Sequence, residues 1–553
     1  MSDRPGTEDP APTPAGPPAD ASGASPAALR DPDDLSARPS IAAPRPAAAP
    51  GLSAGPSASS PPGAWARLRA DRRLLAPALL ATFVTLAYFV GPPGWNQNSR
   101  FALTRALVER AEVTIDPDHF TTGDKSFRDG HFYSDKAPGA SLLAVPAYAL
   151  FHGLRALLGG EAPEARLVPL DPLEALAERE VDPDERRPGD RVAYNQSFRL
   201  ALHLCRLLST SLLAVAGVAA FYLLALRQLA GDRRAALACA LVYGLATPAL
   251  VYGAAFYGHQ ACADLLLLAL AAIVVGDPRA RATTLVAGLC LGLAVLCEYP
   301  AAVPVVILVA LALALRGPRF AAWTAVGGLP SALALALYHT LAFGHPLKTG
   351  YDFVYLAEFA AGMEIRYGIH APDPRVLLEL LFGTYRGLFY LAPVLLLAAW
   401  GVVTELSSRT SSERRRVALA ALAVVAFYLL LNAGYYMWDG GAAFGPRHCV
   451  PMLPFLALGL APALRAAPRL FTVLALLSAA QMLLGVATGP EAPQHGNPLW
   501  AHAWPRLQSA AAGTYLGATN LGLLLGLPGA WSLAPLLALW LWVRVDLNEA
   551  RRP

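Results

Sequence analysis

Long apolar stretches of the chain alternate with short polar stretches that are rich in arginine. The pattern predicts an all-α integral membrane protein with about twelve transmembrane helices, because an α-helix needs ~20 residues to cross the hydrocarbon layer. Several of the predicted spans are shorter than this. They cover residues 74–90, 207–226, 235–256, 259–276, 283–297, 301–315, 321–341, 388–403, 417–434, 450–464, 470–487 and 526–543.

One apolar stretch, Ala140–Leu158, is long enough to span but contains His152 and Arg155. If it spans, every later loop changes sides. If it lies along the outer surface, the short arginine-rich loops fall in the cytoplasm, where the positive-inside rule expects them. We therefore expect an interfacial helix. The loops that this topology places inside are 227–234, 277–281, 316–319, 409–416, 465–469 and the C-terminal tail.

The N-terminus is expected in the cytoplasm because Arg67, Arg69, Arg72 and Arg73 precede the first span. The same topology makes 91–206 a large extracytoplasmic first loop that carries interfacial helices. Further outer segments are 342–387, 435–449 and 488–525, together with short turns at 257–260 and 298–300.

Composition divides the chain into three regions. Residues 1–63 are rich in Pro, Ala and Ser and are expected to form a disordered cytoplasmic tail. Residues 64–546 form the predicted membrane domain, and 547–553 form a short cytoplasmic tail. The whole chain is 55% hydrophobic and 15% charged, and its net charge of +4 is too small to indicate nucleic-acid binding. The six cysteines show no metal-ligand or disulfide-framework spacing.

The candidate chemistry lies in the predicted outer segments. Of the 44 Lys and Arg residues only three are lysines, and all three, Lys125, Lys136 and Lys348, are in these segments. Lysine gives a compact, mobile charge, so its retention in an arginine-biased chain suggests a function, with chance retention as the alternative.

Carboxylates accompany the first two lysines. Asp116, Asp124 and Asp135 alternate with basic and aromatic residues beyond a predicted helix over 99–112. They indicate an ordered surface that could supply a general base, or else a solvated charged loop.

A second group of candidates follows the later spans. Arg447 and His448 come directly after a glycine-rich outer turn that contains Asp439. Asp264 lies about one turn inside a predicted span, where an ionisable residue is costly and indicates either a function or an interhelical hydrogen bond. The sequence assigns no metal ligands, because the histidines do not pair at metal-ligand spacing, and it leaves open whether a divalent metal is used. The candidates for lining a substrate cavity are Gln97, Asn98, Arg100, His259, Asp264, Glu298, Lys348 and Asp439.

Taken in order, these elements resemble the GT-C class of membrane glycosyltransferases, similar to the protein O-mannosyltransferase and lipid A aminoarabinose transferase type. In that class a Lys-Pro-type motif opens an interfacial helix in the first outer loop. Asp135-Lys136-Ala137-Pro138 and the apolar stretch after it resemble that motif. Arg447-His448, with two prolines after it, resembles the late Arg-Tyr-x-x-x-Pro element. The resemblance covers about residues 74–470 and rests on the order and sidedness of short motifs.

The sequence departs from the class at one position. The acidic pair expected after the first span aligns with Gln97-Asn98, which cannot act as a base. The base is therefore expected further along the loop, with Asp116 ranked first, then Asp135 and Asp124. The other reading of this departure is a GT-C-like membrane protein without catalytic activity.

The resemblance implies transfer of a sugar from a polyprenyl-phosphate carrier to a lipid, glycan or protein acceptor at the outer face of the plasma membrane. Lys136, Arg447 and His448 would bind the donor phosphate, and no soluble cofactor would be required. A lipid or solute transporter, or a flippase, is the alternative, although the sequence shows no clear internal repeat.

The predicted topology can be tested by labelling single cysteines introduced at Glu174 and Arg414 in intact and permeabilised cells. We expect position 174 to react from outside and position 414 to react only after permeabilisation. Labelling of position 174 from the cytoplasm would contradict the assignment of sides.

Overall fold

The computed structural model describes residues 64–169, 191–407, 409–510 and 519–549. The predicted N-terminal tail, most of the acidic stretch 161–190 and the last four residues lie outside this part of the chain. The α-helices are α1 (Ala64–Ala70), α2 (Arg72–Tyr88), α3 (Trp95–Glu109), α4 (Gly139–Leu158), α5 (Gln196–Gln228), α6 (Arg233–Leu245), α7 (Ala249–Gly253), α8 (Gly258–Val275), α9 (Arg281–Cys297), α10 (Ala302–Arg316), α11 (Pro318–Phe343), α12 (Ala357–Met363), α13 (Pro374–Phe382), α14 (Leu388–Leu391), α15 (Val394–Thr404), α16 (Ser412–Ala433), α17 (Leu453–Ala457), α18 (Leu460–Ala466), α19 (Pro468–Thr488), α20 (Trp504–Ser509), α21 (Leu521–Leu524) and α22 (Ala534–Glu549).

Short strands form three antiparallel pairs among the described residues. Their bounds are β1 (Phe89–Val90), β2 (Lys125–Arg128), β3 (His131–Ser134), β4 (Ala165–Val168), β5 (Arg191–Tyr194) and β6 (Thr519–Asn520). The pairs are β1 with β6, β2 with β3 and β4 with β5. The first pair joins the end of α2 to a segment near the C-terminus.

The protein is a multi-pass membrane protein. Seven helices of the described chain are long and apolar enough to cross a membrane, or eight if the bent pair Arg447–Ala457 and Leu460–Ala466 forms one span. The predicted count of about twelve is not confirmed. Hydrophobic windows detect composition but not helix continuity. Two further apolar helices of the described chain, α9 and α15, have fewer than 18 residues. The bent pair turns by 54°.

Helix α5 is longer than a membrane span. Its 33 residues correspond to ~50 Å, against ~30 Å of hydrocarbon. Within it the buried Arg206 donates hydrogen bonds to the carbonyls of Leu86 at 3.0 Å and Phe89 at 2.9 Å, at the end of α2. Residues 196–205 of α5 therefore project beyond the end of α2.

Helix α4 packs against this projecting part of α5. Phe101 of α3 makes edge-to-face ring contacts with Tyr148 of α4 and with Phe198 of α5, at 5.4 and 5.0 Å between centroids. Ala140 and Ala201 belong to the same buried cluster. By length and composition α4 is itself one of the seven helices that could cross a membrane, so its expected position along the membrane surface stays a prediction.

The arginine-rich loops meet at the opposite end of the helices. Arg316 donates to the carbonyls of Ile273 and Val274, at the end of α8, both at 2.7 Å. Arg227, at the end of α5, pairs with Glu413 at the start of α16 at 2.7 Å. The loops predicted to share one side thus lie together, and which side of the membrane they face stays a prediction.

Replacing Arg206 with Ala should destabilise the fold, because two buried carbonyls at the end of α2 would lose their donor. Each unsatisfied buried group costs about 1–3 kcal/mol. Thermal unfolding of the detergent-solubilised protein measures the effect. Leu200→Ala, at a position that is 52% exposed on the same helix, serves as the control. An equal loss of stability in both variants would contradict this role.

Candidate active site

A two-residue hairpin brings two carboxylates side by side. Asp129 and Gly130 connect β2 to β3 with φ values of 51° and 84°, as a type I′ turn requires at both central positions. The register pairs Lys125 with Ser134. Asp124 and Asp135 therefore lie next to each other at the open end of the hairpin.

Lys136 binds both of these carboxylates. Its Nζ lies 3.3 Å from Asp124 Oδ2 and 3.3 Å from Asp135 Oδ2, and its side chain is only 15% exposed. Burial, the largest single influence, acts to lower the pKa of Lys136, but the two carboxylates outweigh it and the pKa is raised. Burial also raises the pKa of Asp135 to about 6, although the Lys136 charge opposes it. Lys136 is thus a cation.

The start of α4 places Lys136 beside the end of α9. A Cβ on Gly139 would lie 2.5 Å from the backbone of Leu296 and Cys297, so only glycine permits this approach. The next residue of that segment, Glu298, is thereby brought to the site. Burial raises the pKa of Glu298, and the nearby charges of Arg100 and Lys136 oppose this shift.

Glu298 joins a buried arginine to a histidine. Its Oε1 lies 3.2 Å from Arg100 Nη2 and 3.2 Å from His259 Nδ1. The Arg100 side chain is only 2% exposed, and its Nε and Nη1 have no hydrogen-bond partner in the structure. His259 Nε2 likewise has none. The site therefore holds unused hydrogen-bonding groups as well as charge.

A glycine-rich loop delivers the second part of the site. Gly440, Gly441 and Gly445 all have positive φ, from 63° to 74°, a conformation that favours glycine. The fully buried Arg386 fixes this loop, because its guanidinium donates to the carbonyls of Asp439, Gly441 and Ala443. The loop ends at Arg447.

Arg447 and His448 face the first part of the site. His448 accepts a hydrogen bond from Arg447 Nε at 3.3 Å, and its Nδ1 lies 3.1 Å from Asn432 Oδ1. The His448 ring contacts the His259 ring edge to face, at 5.6 Å between centroids. Arg447 is near enough to Lys136 to act on its pKa, which it lowers.

Two predicted residues are not brought to this cluster. Asp116, ranked first as the base, accepts hydrogen bonds from His131 Nδ1 at 2.7 Å and from the Phe132 amide at 2.6 Å. Lys348 is 52% exposed and pairs with Asp352 at 3.2 Å. Asp116 thus organises its own turn, and its expected role as the base stays a prediction.

The amides at the position of the class's acidic pair bind backbone groups. Gln97 accepts from the Phe256 amide at 3.0 Å and donates to the Pro92 carbonyl at 2.8 Å. Asn98 donates to the Thr121 carbonyl at 2.9 Å, just before the hairpin. Both side chains hold the walls of the site.

Two further candidates, Asp264 and Asp439, accept hydrogen bonds from nearby side chains. Asp264 is fully buried in α8 and accepts from Tyr243 at 2.9 Å and Gln260 at 2.9 Å, so the interhelical hydrogen bond explains it. Asp439 accepts from the Tyr385 hydroxyl at 3.1 Å within the loop fixed by Arg386.

The sequence prediction missed Glu491, on the segment after α19. Its Oε1 lies 3.5 Å from the Tyr257 hydroxyl, and Arg447 and Asp124 both act on its charge. Burial raises the pKa of Glu491 to about 7, and Arg447 opposes this shift. One signal could have found it, because Glu491 is the only carboxylate in the predicted outer segment 488–525.

No matching family model and no matching curated protein was found for the chain. Similar solved structures include ArnT from Cupriavidus metallidurans bound to undecaprenyl phosphate, with a TM-score of 0.43 and 17% identity. That match covers 76% of this chain and 63% of that one. An oligosaccharyltransferase from Archaeoglobus fulgidus matches with a TM-score of 0.39 and 12% identity, covering 80% of this chain and 59% of that one.

Mycobacterial arabinofuranosyltransferase AftD matches with a TM-score of 0.38 and 16% identity, covering 75% of this chain and 27% of that one. All three are GT-C glycosyltransferases. They are of the class that the sequence was expected to resemble. At these TM-scores and identities, the likeness assigns no activity to the chain.

Replacing Glu298 with Ala should destabilise the protein strongly, because it would leave Arg100 buried without its ion partner. Breaking a buried pair typically costs about 3–5 kcal/mol. Thermal unfolding measures this. Glu413→Ala is the matched control, because it breaks the ion pair between Glu413 and Arg227. The side chains of Arg227 and Glu413 are 42% and 39% exposed, and such surface pairs contribute about 0–1 kcal/mol. Equal effects of the two changes would contradict the assignment.

Proposed function

We propose that the protein transfers a glycosyl group from a polyprenyl-phosphate-linked sugar to an acceptor hydroxyl at the extracytoplasmic face of the plasma membrane. One observation carries this proposal. Lys136 and Arg447 are about three hundred residues apart in the sequence, yet contacts join their neighbours. The ring of His448, next to Arg447, contacts that of His259, and His259 lies 3.2 Å from Glu298. Glu298 directly follows the backbone that Gly139 touches, three residues after Lys136.

The two cations form a site for a phosphate. Lysine supplies a mobile point charge and arginine a planar fork of donors, and both bind phosphate oxygens through strong, charged hydrogen bonds. Arg447 makes one weak intramolecular bond, to His448 at 3.3 Å. A phosphodiester seated between Lys136 and Arg447 would stabilise both charges, and the developing charge on the leaving phosphate would be stabilised further.

Asp124 is the proposed general base. Its side chain is 14% exposed, against 7% for that of Asp135. Gly350 also covers the backbone of Asp135, because a Cβ added to Gly350 would lie 2.6 Å from Asp135 Cα. An acceptor hydroxyl can therefore reach Asp124 more easily. Asp135 then serves to hold Lys136 in place.

The position of the site suits a lipid-linked donor. His259 is at the start of α8, Glu298 follows α9 and Asn432 is at the end of α16, so the charged groups lie at one end of apolar helices. A phosphate head can bind there while the polyprenyl chain lies between or along those helices. The acceptor is a lipid, a glycan or a protein, and the proposed chemistry requires no soluble cofactor.

Lys136→Ala and Arg447→Ala should each reduce glycosyl transfer strongly, because each removes one of the two charges that hold the same phosphate. The double variant should cost far less than the sum of the single effects, expressed as free energies. The measurement is transfer of radiolabel from a panel of polyprenyl-phosphate sugars in membranes. Lys348→Ala is the matched control, because that lysine lies outside the cluster. Small, additive effects would contradict a shared phosphate.

Asp124→Asn should lower the rate of transfer strongly while leaving the affinity for the donor nearly unchanged. A general base typically contributes a factor of about 10²–10⁴ to the rate. Asp116→Asn should leave transfer near the wild-type rate. The same radiolabel assay compares the two changes. The opposite order would restore Asp116 as the base.

A further inference from the structure

Glu491 lies beside Tyr257, whose ring is 6.1 Å from the ring of His259 between centroids, and His259 in turn contacts His448. Glu491 belongs to the segment that follows α19, whereas Asp124 belongs to the first outer loop. Asp124 and Arg447 both act on Glu491 electrostatically, so Glu491 belongs to the same cluster of charges as the arginine proposed to bind phosphate. The proposed reaction assigns a role to Asp124 and leaves Glu491 without one.

Two neighbours hold the Glu491 carboxyl in place. The Tyr257 hydroxyl lies 3.5 Å from Oε1. On another side the backbone at Gly94 is so near that an added Cβ would lie 1.6 Å from Oε1 and 2.9 Å from Oε2. The three atoms nearest to that position all belong to Glu491. The missing side chain at Gly94 therefore makes room for this carboxyl.

We propose that Glu491 is the general acid of the site, which protonates the departing phosphate while Asp124 accepts the proton of the acceptor hydroxyl. This inference rests on the proposed glycosyl transfer. It assigns two carboxyl groups from separate segments of the chain to opposite proton transfers.

The step balances with groups that the site contains. The acceptor oxygen forms a bond to the anomeric carbon and gives its proton to Asp124. The bond from that carbon to the phosphate oxygen breaks, and its electron pair stays on the oxygen, which takes the proton of Glu491. Exchange with water afterwards returns a proton to Glu491 and removes one from Asp124.

The surroundings of Glu491 support the protonated form at neutral pH. Burial raises its pKa to about 7, which matches the pKa best suited to a general acid at that pH. Arg447 opposes the shift and Asp124 adds to it. The charged and titratable groups that face Glu491 from the surrounding elements are Asp124, Tyr252, Tyr257, Arg447, His502 and Arg506.

The test compares wild type with Glu491→Gln in binding of polyprenyl phosphate between pH 6 and pH 8. As pH rises through about 7, Glu491 of the wild type becomes an anion beside the phosphate. The affinity of the wild type for polyprenyl phosphate should therefore fall about tenfold more than the affinity of the variant. Because the second ionisation of a phosphate monoester falls near the same pH, the two affinities are compared after correction for the fraction of the free ligand that is dianionic. The rate of transfer should be about tenfold to hundredfold lower in Glu491→Gln than in the wild type. In this variant the rate should also no longer decline at alkaline pH. Glu358→Gln, at an exposed position, is the control.

A second pair of variants tests the contact with Gly94. Gly94→Ala should displace the carboxyl and reproduce the effect of Glu491→Gln on transfer, but should add nothing in a Glu491→Ala background. Gly91→Ala is the matched control, because a Cβ there meets nothing within 4 Å.

The outcomes separate the two proposals. If wild type does not bind polyprenyl phosphate, the proposed function is wrong, and the acid role is wrong with it. If wild type binds and transfers but Glu491→Gln keeps the wild-type pH dependence of both, Glu491 is not the acid and the proposed function stands.

Discussion

The energetic cost of burying Lys136 is the constraint on which the site depends. An ammonium group that is largely removed from water stays charged only beside anions, and Asp124 and Asp135 supply them at 3.3 Å each. The two carboxylates also fix the position of Lys136, so the ammonium group would meet the proposed phosphate at a defined place.

Residue type and predicted sidedness singled out Lys136 and Arg447 in the sequence. In the structure their charges act on each other, and a shared phosphate stays a prediction. The ranking of the candidate bases is harder to predict from sequence, because it depends on local backbone geometry. Asp116, Asp124 and Asp135 look alike as charges in a loop. The Asp129-Gly130 turn, a recognisable hairpin signal, places the second and third together and leaves the first on its own.

Helix count and Glu491 show two other limits of sequence reasoning. Apolar windows reveal composition, but they do not show that the 33 residues of α5 continue unbroken past the end of α2. The role of Glu491 depends on a contact with Gly94, almost four hundred residues earlier in the chain. A pairing at that separation leaves no local periodicity, so only the isolation of this carboxylate in its segment marked it.

The balance of charge links binding to protonation in this site. Arg100, Lys136 and Arg447 contribute three cations, and the carboxyl groups of Asp124, Asp135, Glu298 and Glu491 face them. If all four were ionised, the site would carry a net negative charge and would repel a phosphate. Each proton held by a carboxyl group shifts the balance towards attraction. By reciprocity, if a proton on Glu491 favours phosphate binding, a bound phosphate favours that proton to the same extent. Because burial already raises the pKa of Glu491 to about 7, the arrival of the donor would place on Glu491 the proton that the leaving phosphate later requires.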